Sequence, residues 1–280
     1  MKFLVIGDVV GTSGMNSIKE NVPKIVKNEG IDFVIINGEN ATGGRGLKER
    51  ELYELYKVGA DVVTMGNHIY YRKEAKILYK NEKRLLIPAN VTNLEGKGSV
   101  VVNKNGVKLG VINLIGKVHM GEIDNQFITD PFAEAKKQVE LVKEQGAEYI
   151  FVDFHAEATA EKIAMGNYLK HDVTCVYGTH THVQTADECV LDTGMAYITD
   201  VGMTGPDNSV LGLKTEIAVA RFVTGEKIKY ECSENKATLH GIIVETNDST
   251  KKAIKITRYN IWNNLTNCDK NYCIKKCYWI

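Results

Sequence analysis

Apolar residues gather in short runs along the first part of the chain, at Phe3–Ile6, Phe33–Ile36, Val62–Met65 and Leu85–Ile87. Between them the spacing changes to the three-and-four rhythm of amphipathic helices, over 13–28, 48–58 and 72–80. Strands alternating with helices predict β-α-β units, in which helices pack on the faces of a sheet. After Ser99 two β runs flank Asn103-Lys104-Asn105-Gly106, and Asn-Gly is a hairpin signal because both residues tolerate positive φ. A polar, glycine-containing stretch over 116–129 predicts a long loop of the kind that often serves as a lid. Asp130-Pro131 ends it ahead of a helix over 132–144. Strands are then expected at 149–153, 173–177 and 196–200, with helices at 160–168 and 215–222. A closing set of strands at 227–232, 237–245 and 253–261 suggests a second sheet laid over the first. The expected fold class is α/β, with two stacked mixed β-sheets flanked by helices.

No repeat, low-complexity tract or proline-rich linker interrupts the pattern, and only 4 prolines leave no obvious hinge. Residues 1–262 therefore read as one domain, followed by a cysteine-containing tail over 263–280. A content of 44% hydrophobic and 25% charged residues excludes a disordered chain and allows a sizeable core. The 35 basic residues balance 35 acidic ones, so no global field holds nucleic acid nonspecifically or an anionic membrane. The run Phe3–Ile6 is too short for a signal peptide, and no stretch approaches the ~20 apolar residues of a membrane span. That predicts a cytoplasmic protein, and its 6 cysteines then read as free thiols. Cys268, Cys273 and Cys277 lack the paired C-x2-C spacing of a structural zinc site.

The polar residues that carry chemistry fall at strand ends. Asp8 follows the first apolar run, Glu39-Asn40 the second and Asn67-His68 the third, while His155 and the pair His180 and His182 follow later ones. In open α/β sheets, side chains from separate strands converge in the crevice outside the carboxyl ends. A carboxylate, amide and imidazole set suits Mn, Fe or Zn better than the all-oxygen shells of Mg or Ca. Seven candidates are too many for one tetrahedral ion and suffice for two. Singly, Asp8 reads more readily as a turn or cap residue than as a ligand, and Asn37-Gly38-Glu39-Asn40 would also serve an ordinary loop. His180-Thr181-His182 is stronger, because two imidazoles two residues apart in an extended segment point the same way. His119, His171 and His240 have no such neighbours and read as satisfied or solvent-facing imidazoles, with substrate contact a secondary reading for His119 because it lies in the long loop.

The ordered motifs Gly7-Asp8, Gly38-Glu39-Asn40, Gly66-Asn67-His68, His155 and Gly178-Thr179-His180-Thr181-His182 resemble those of the calcineurin-like metallophosphoesterases. That superfamily usually carries Asp-x-His first, whereas this chain has Val10 in place of the histidine. The bacterial YmdB-like branch shares the change, and there the Asn after the Glu is thought to fill the gap, a role that falls to Asn40. Likeness to the branch extends through Asp153-Phe154-His155-Ala156-Glu157-Ala158-Thr159, His182-Val183-Gln184-Thr185-Ala186-Asp187 and Ile198-Thr199-Asp200-Val201-Gly202-Met203, covering about residues 1–260. Ile69-Tyr70-Tyr71 departs from the Trp-Asp associated with it.

The resemblance implies a four-layer α/β/β/α sandwich holding two divalent or trivalent ions, Fe or Mn first and Zn next. It assigns Asp8, Glu39, Asn40 and His182 to one ion and Glu39, Asn67, His155 and His180 to the other. It further implies hydrolysis of cyclic nucleotides, especially 2',3'-cyclic ones, by a hydroxide shared between the ions, with His68 protonating the departing oxygen. From the residues alone the reading stops at a phosphate ester, diester or monoester, so a small phosphodiester or nucleotide is the expected partner. A general phosphatase is the nearest alternative. A nucleotide- or RNA-linked regulator would be expected to have lost one or more ligands, and none is missing. Self-association into a homo-oligomer is left open.

Overall fold

A computed structural model of the chain describes residues 1–121 and 123–262. The tail with Cys268, Cys273 and Cys277 lies outside the described residues. Two large mixed sheets stack face to face. The first runs in space Asp8–Val9, Met203–Pro206, Ala237–Thr246, Lys2–Ile6, Phe33–Asn37, Val62–Thr64 and Leu85–Leu86, with Ala253–Trp262 also paired to Ala237–Thr246. The strands from Lys2–Ile6 through Leu85–Leu86 are parallel, as the alternation with helices predicts. The second runs Cys189–Val190, Ala196–Ile198, Cys175–Thr179, Tyr149–His155, Val107–Ile115 and Ser99–Lys104.

Burial on both faces explains why these strands read as continuous apolar runs instead of alternating ones. Leu4, Ile6, Val34 and Ile36 point to the helices Gly11–Glu29 and Glu49–Lys57, forming one core cluster with Ile18, Val22 and Leu52. Phe3, Val5, Phe33 and Ile35 point the other way, into the space between the sheets, where they meet Tyr149, Phe151, Cys175 and Tyr177. Ile150, Val152 and Phe154 form a third cluster with the helices Pro131–Glu144 and Thr159–Leu169. Three cores between four layers give the α/β/β/α order. Phe3 bolts the sheets together, with its ring centroid 5.6 Å from Phe33, 5.0 Å from Tyr149 and 4.7 Å from Phe151. Aromatic pairs of this kind add about 0.5–1.5 kcal/mol each beyond their burial.

Two expectations fail. The final strands do not build the second sheet: Ala237–Thr246 pairs antiparallel with Lys2–Ile6 in the middle of the first. Its residues are almost all buried, so a place between two neighbours satisfies both its backbone edges and its apolar faces. The stretch 227–232 is not a strand and makes only a single bridge, Cys232 to Leu213. Among the described residues, no helix is long and apolar enough to cross a membrane.

Candidate metal centre

The carboxyl ends of both sheets open at one seam. Asp8, just past Lys2–Ile6, opens the short strand Asp8–Val9 and donates its N–H to the Gly202 carbonyl at 3.1 Å. Glu39 and Asn40 follow Phe33–Asn37 in a turn set by the Glu39 N–H donating to Asn37 Oδ1 at 3.1 Å. Asn67 and His68 open a 3-10 turn, Asn67–Tyr70, after Val62–Thr64. Gly66 just before it is required by space: a Cβ there would sit 2.1 Å from Glu39 Oε2 and 2.2 Å from His155 Nε2.

The second sheet supplies the imidazoles. His155 is the last residue of Tyr149–His155, within the strand and not beyond it as expected. Asp153, two residues earlier, points to the same inter-sheet face, where its Oδ1 accepts from Thr179 Oγ1 at 2.6 Å. Its Oδ2 accepts from Thr64 Oγ1 at 2.5 Å and Asn37 Nδ2 at 3.3 Å, so this carboxylate ties the two sheets beneath the site. Thr179 Oγ1 in turn meets His155 Nδ1 at 2.9 Å, which fixes the ring and leaves Nε2 facing Asn67 Oδ1 at 2.8 Å.

His180 and His182 converge by a different geometry from the extended one expected. Both have positive φ, +102° and +64°, a conformation that costs a non-glycine residue about 1–3 kcal/mol. Two buried carboxylates hold this loop: Asp8 Oδ2 accepts the His180 N–H and Asp200 Oδ2 the Thr181 N–H, each at 3.1 Å. Asp200 is itself paired with the fully buried Lys162 ammonium at 2.7 Å. The kinks place His180 Nδ1 3.1 Å from His155 Nε2 and His182 Nε2 3.0 Å from Asn40 Nδ2.

All seven sequence candidates thus lie together. Glu39 is central, and its two oxygens face different groups. Oε1 lies 3.1 Å from Asn40 Nδ2 and 3.2 Å from His68 Nδ1, whereas Oε2 lies 3.3 Å from His155 Nε2. Ligand atoms of Glu39, His155 and His180 all lie within 4.8 Å of one another, a group able to hold a metal ion. Burial, the charge of Glu39 and that of Asp200 push the Asp8 carboxyl well above its usual range. Burial would raise Glu39 too, but the imidazoles of His155 and His68 overcome it and hold that carboxyl below its usual range. Burial drives the His155 pKa well below its usual range, against the opposing pull of the Glu39 carboxylate. Asp8 Oδ1 is buried with no hydrogen-bond partner. Above this floor a cavity of about 350 Å³ is lined by Asn40, His68 and His182 together with the half-buried Arg45 and Tyr230 and the exposed His119.

A family model described as YmdB-like protein matches residues 4–259. The chain belongs to the YmdB-like family. It is 46% identical over 261 residues to the 2',3'-cyclic-nucleotide 2'-phosphodiesterase of Bacillus subtilis, covering 92% of this chain and 96% of that protein. The crystal structure of a novel phosphatase from Mycoplasma pneumoniae superposes with a TM-score of 0.85 at 38% identity, over 93% of each chain. A 5'-nucleotidase precursor from Thermus thermophilus, 13% identical, shares the fold alone, with a TM-score of 0.57 over 93% of this chain and 54% of that one. The sandwich is that of the metallophosphoesterases, a fold that implies divalent metal ions.

Within this YmdB-like chain, four buried supports escaped the sequence reading: Asp153, Thr179, Lys162 and Asp200. Two left a signal. Asp153 interrupts an otherwise apolar strand, and a buried carboxylate demands partners. Lys162 shares the helical stripe of Met165, Gly166 and Leu169, the buried face of its helix.

Proposed function

We propose that this chain is a metal-dependent phosphodiesterase of cyclic nucleotides, with 2',3'-cyclic nucleotides favoured. Asp8, Glu39, Asn40, Asn67, His155, His180 and His182 hold two metal ions, and His68 serves as the acid. One observation carries the reading: the two oxygens of Glu39 each face one half of the ligand set, Asn40 on one side and His155 on the other. The donors also fit cations chemically. Two imidazole nitrogens 3.1 Å apart, a buried Asp8 oxygen with no hydrogen-bond partner and the central Glu39 carboxylate form a cluster of donor atoms that a cation would satisfy. Mixed oxygen and nitrogen donors suit iron or manganese, with zinc as the alternative. Bound there, two cations polarise phosphoryl oxygens and lower the pKa of a water.

The remaining work falls to side chains. Opening a 2',3'-cyclic diester adds the elements of water across a P–O bond, and the freed sugar oxygen must take a proton. His68 lines the cavity and its Nδ1 sits 2.5 Å from Asn40 Oδ1. As placed, the Asn40 amide turns its nitrogen toward Glu39 and His182. Ligation through its oxygen on that side requires a half-turn of the amide, after which Nδ2 donates to His68 Nδ1 and the ring's proton resides on Nε2. Asn40 then orients the acid as well as holding an ion. The substrate class follows the Bacillus subtilis relative, a phosphodiesterase of 2',3'-cyclic nucleotides. Metal analysis of the purified protein, with turnover measured on 2',3'-cyclic, 3',5'-cyclic and monoester nucleotides, tests the reading. Two metal equivalents and a preference for 2',3'-cyclic diesters are expected, and a folded protein that is metal-free and inert overturns it.

A further inference from the structure

The mouth of the cavity carries a cation packed on aromatic rings. The Arg45 guanidinium carbon lies 4.5 Å from the Tyr230 ring centroid and 5.0 Å from that of Tyr71, and Nη1 donates to the Tyr71 hydroxyl. Among the described residues no carboxylate pairs with it. The loop is shaped for this packing. Gly44 has φ +84°, and a Cβ there would strike the Tyr230 ring at 2.8 Å. From behind, Arg72 donates to the Arg45 carbonyl at 3.1 Å and the Thr42 carbonyl at 2.8 Å. Tyr71, 48% exposed, also meets the His68 ring edge-on at 5.4 Å, so the cluster runs from the proposed acid to the mouth.

A guanidinium has five N–H donors in a fixed fork, and with its face on Tyr230 and Nη1 on the Tyr71 hydroxyl the remaining in-plane N–H groups are left for acceptors. A 2',3'-cyclic mononucleotide has one phosphate, which belongs at the floor beside His68. Its base is the other recognisable group and must extend outward. Guanine presents O6 and N7 as a paired acceptor edge matched to the arginine fork, whereas adenine and cytosine place an amino donor there. We propose that Arg45, Tyr71 and Tyr230 form a nucleobase subsite that selects guanine. The inference rests on the cyclic-nucleotide reading above.

The test is kcat/KM for the 2',3'-cyclic phosphates of guanosine, adenosine, cytidine and uridine, on metal-loaded full-length wild type, Arg45→Ala and Arg45→Lys. The wild type should prefer the guanosine substrate over the uridine one by about 10-fold or more. Both variants should bring that ratio to about one while keeping wild-type metal content and thermal midpoint, because lysine retains the charge but not the fork. Equal losses on all four substrates, or full recovery by lysine, would assign Arg45 to the phosphate and overturn the proposal. If the wild type hydrolyses none of the four, the cyclic-nucleotide reading fails separately. Calorimetric binding of 3'-GMP against 3'-UMP to wild type and Arg45→Ala then decides the subsite, and no guanine preference refutes it.

Discussion

The two halves of the site are held in place by different means. The half from the first sheet, Glu39, Asn40 and His68, is braced mainly by its own members: Asn40 reaches Glu39, His68 and, across the seam, His182. The half from the second sheet is braced from behind. His155 leans on Thr179 and Asp153, and the kinked His180–His182 loop hangs on Asp8 and on Asp200 with its buried Lys162. Substitutions in the first half should therefore change chemistry and leave the fold, while substitutions behind the second half should change the fold and reach the chemistry only through it.

His68→Ala is the severest test of the first statement. Loss of a positioned acid typically lowers kcat by about 10²–10⁴-fold. Since His68 is not among the proposed ligands, both metal equivalents and the thermal midpoint should stay near wild type. Unchanged turnover would remove the acid role, and a large loss of stability would break the comparison itself. Lys162→Met tests the other half. It leaves the Asp200 carboxylate buried with only the Thr181 and Gly202 N–H groups, and an uncompensated buried charge costs about 3–5 kcal/mol. In a protein of this size that corresponds to a melting point lower by about 10 °C. Adding Asp200→Asn to Lys162→Met removes the orphaned charge and should recover part of the loss. A single variant that melts with the wild type would show that the ion pair does not support the loop.

The same division decides what the sequence disclosed. Each proposed ligand stands at or just past the end of an apolar run, so strand pattern and residue type suffice to find it. The supports are readable only in three dimensions: the donors to Asp153, namely Asn37, Thr64 and Thr179, lie 116, 89 and 26 residues away. The kinks at His180 and His182 were invisible because nothing local distinguishes them from extended backbone; buried carboxylates from other segments impose them. The layered fold was legible where strands are fully apolar. It misled at 227–232, where alternation mimics a strand although Tyr230 packs on Arg45 and lines the cavity. No local feature marks Arg45, Tyr71 and Tyr230 as neighbours.

Asn40→Ala carries the smallest expected effect and separates the halves most finely. The residue stands where Val10 leaves the first motif without an imidazole, and it touches both Glu39 and His182. A neutral amide oxygen is a weak ligand, so its removal should cost one ion on the order of 10–100-fold in affinity, the range seen when a group supporting a metal site is lost. The other ion, proposed to lie on Asn67, His155 and His180 with Glu39, should remain near its wild-type occupancy. Asn40→Asp restores an oxygen donor and adds charge, and should return the weakened ion while removing the amide donor proposed to orient His68. Metal titration with turnover on all three proteins therefore splits the two roles of Asn40: Ala loses one ion and rate, Asp regains the ion but not the full rate. Equal retention of both ions in Asn40→Ala would show that the first half of the site completes itself without this amide, and that the missing histidine at Val10 is compensated by another residue.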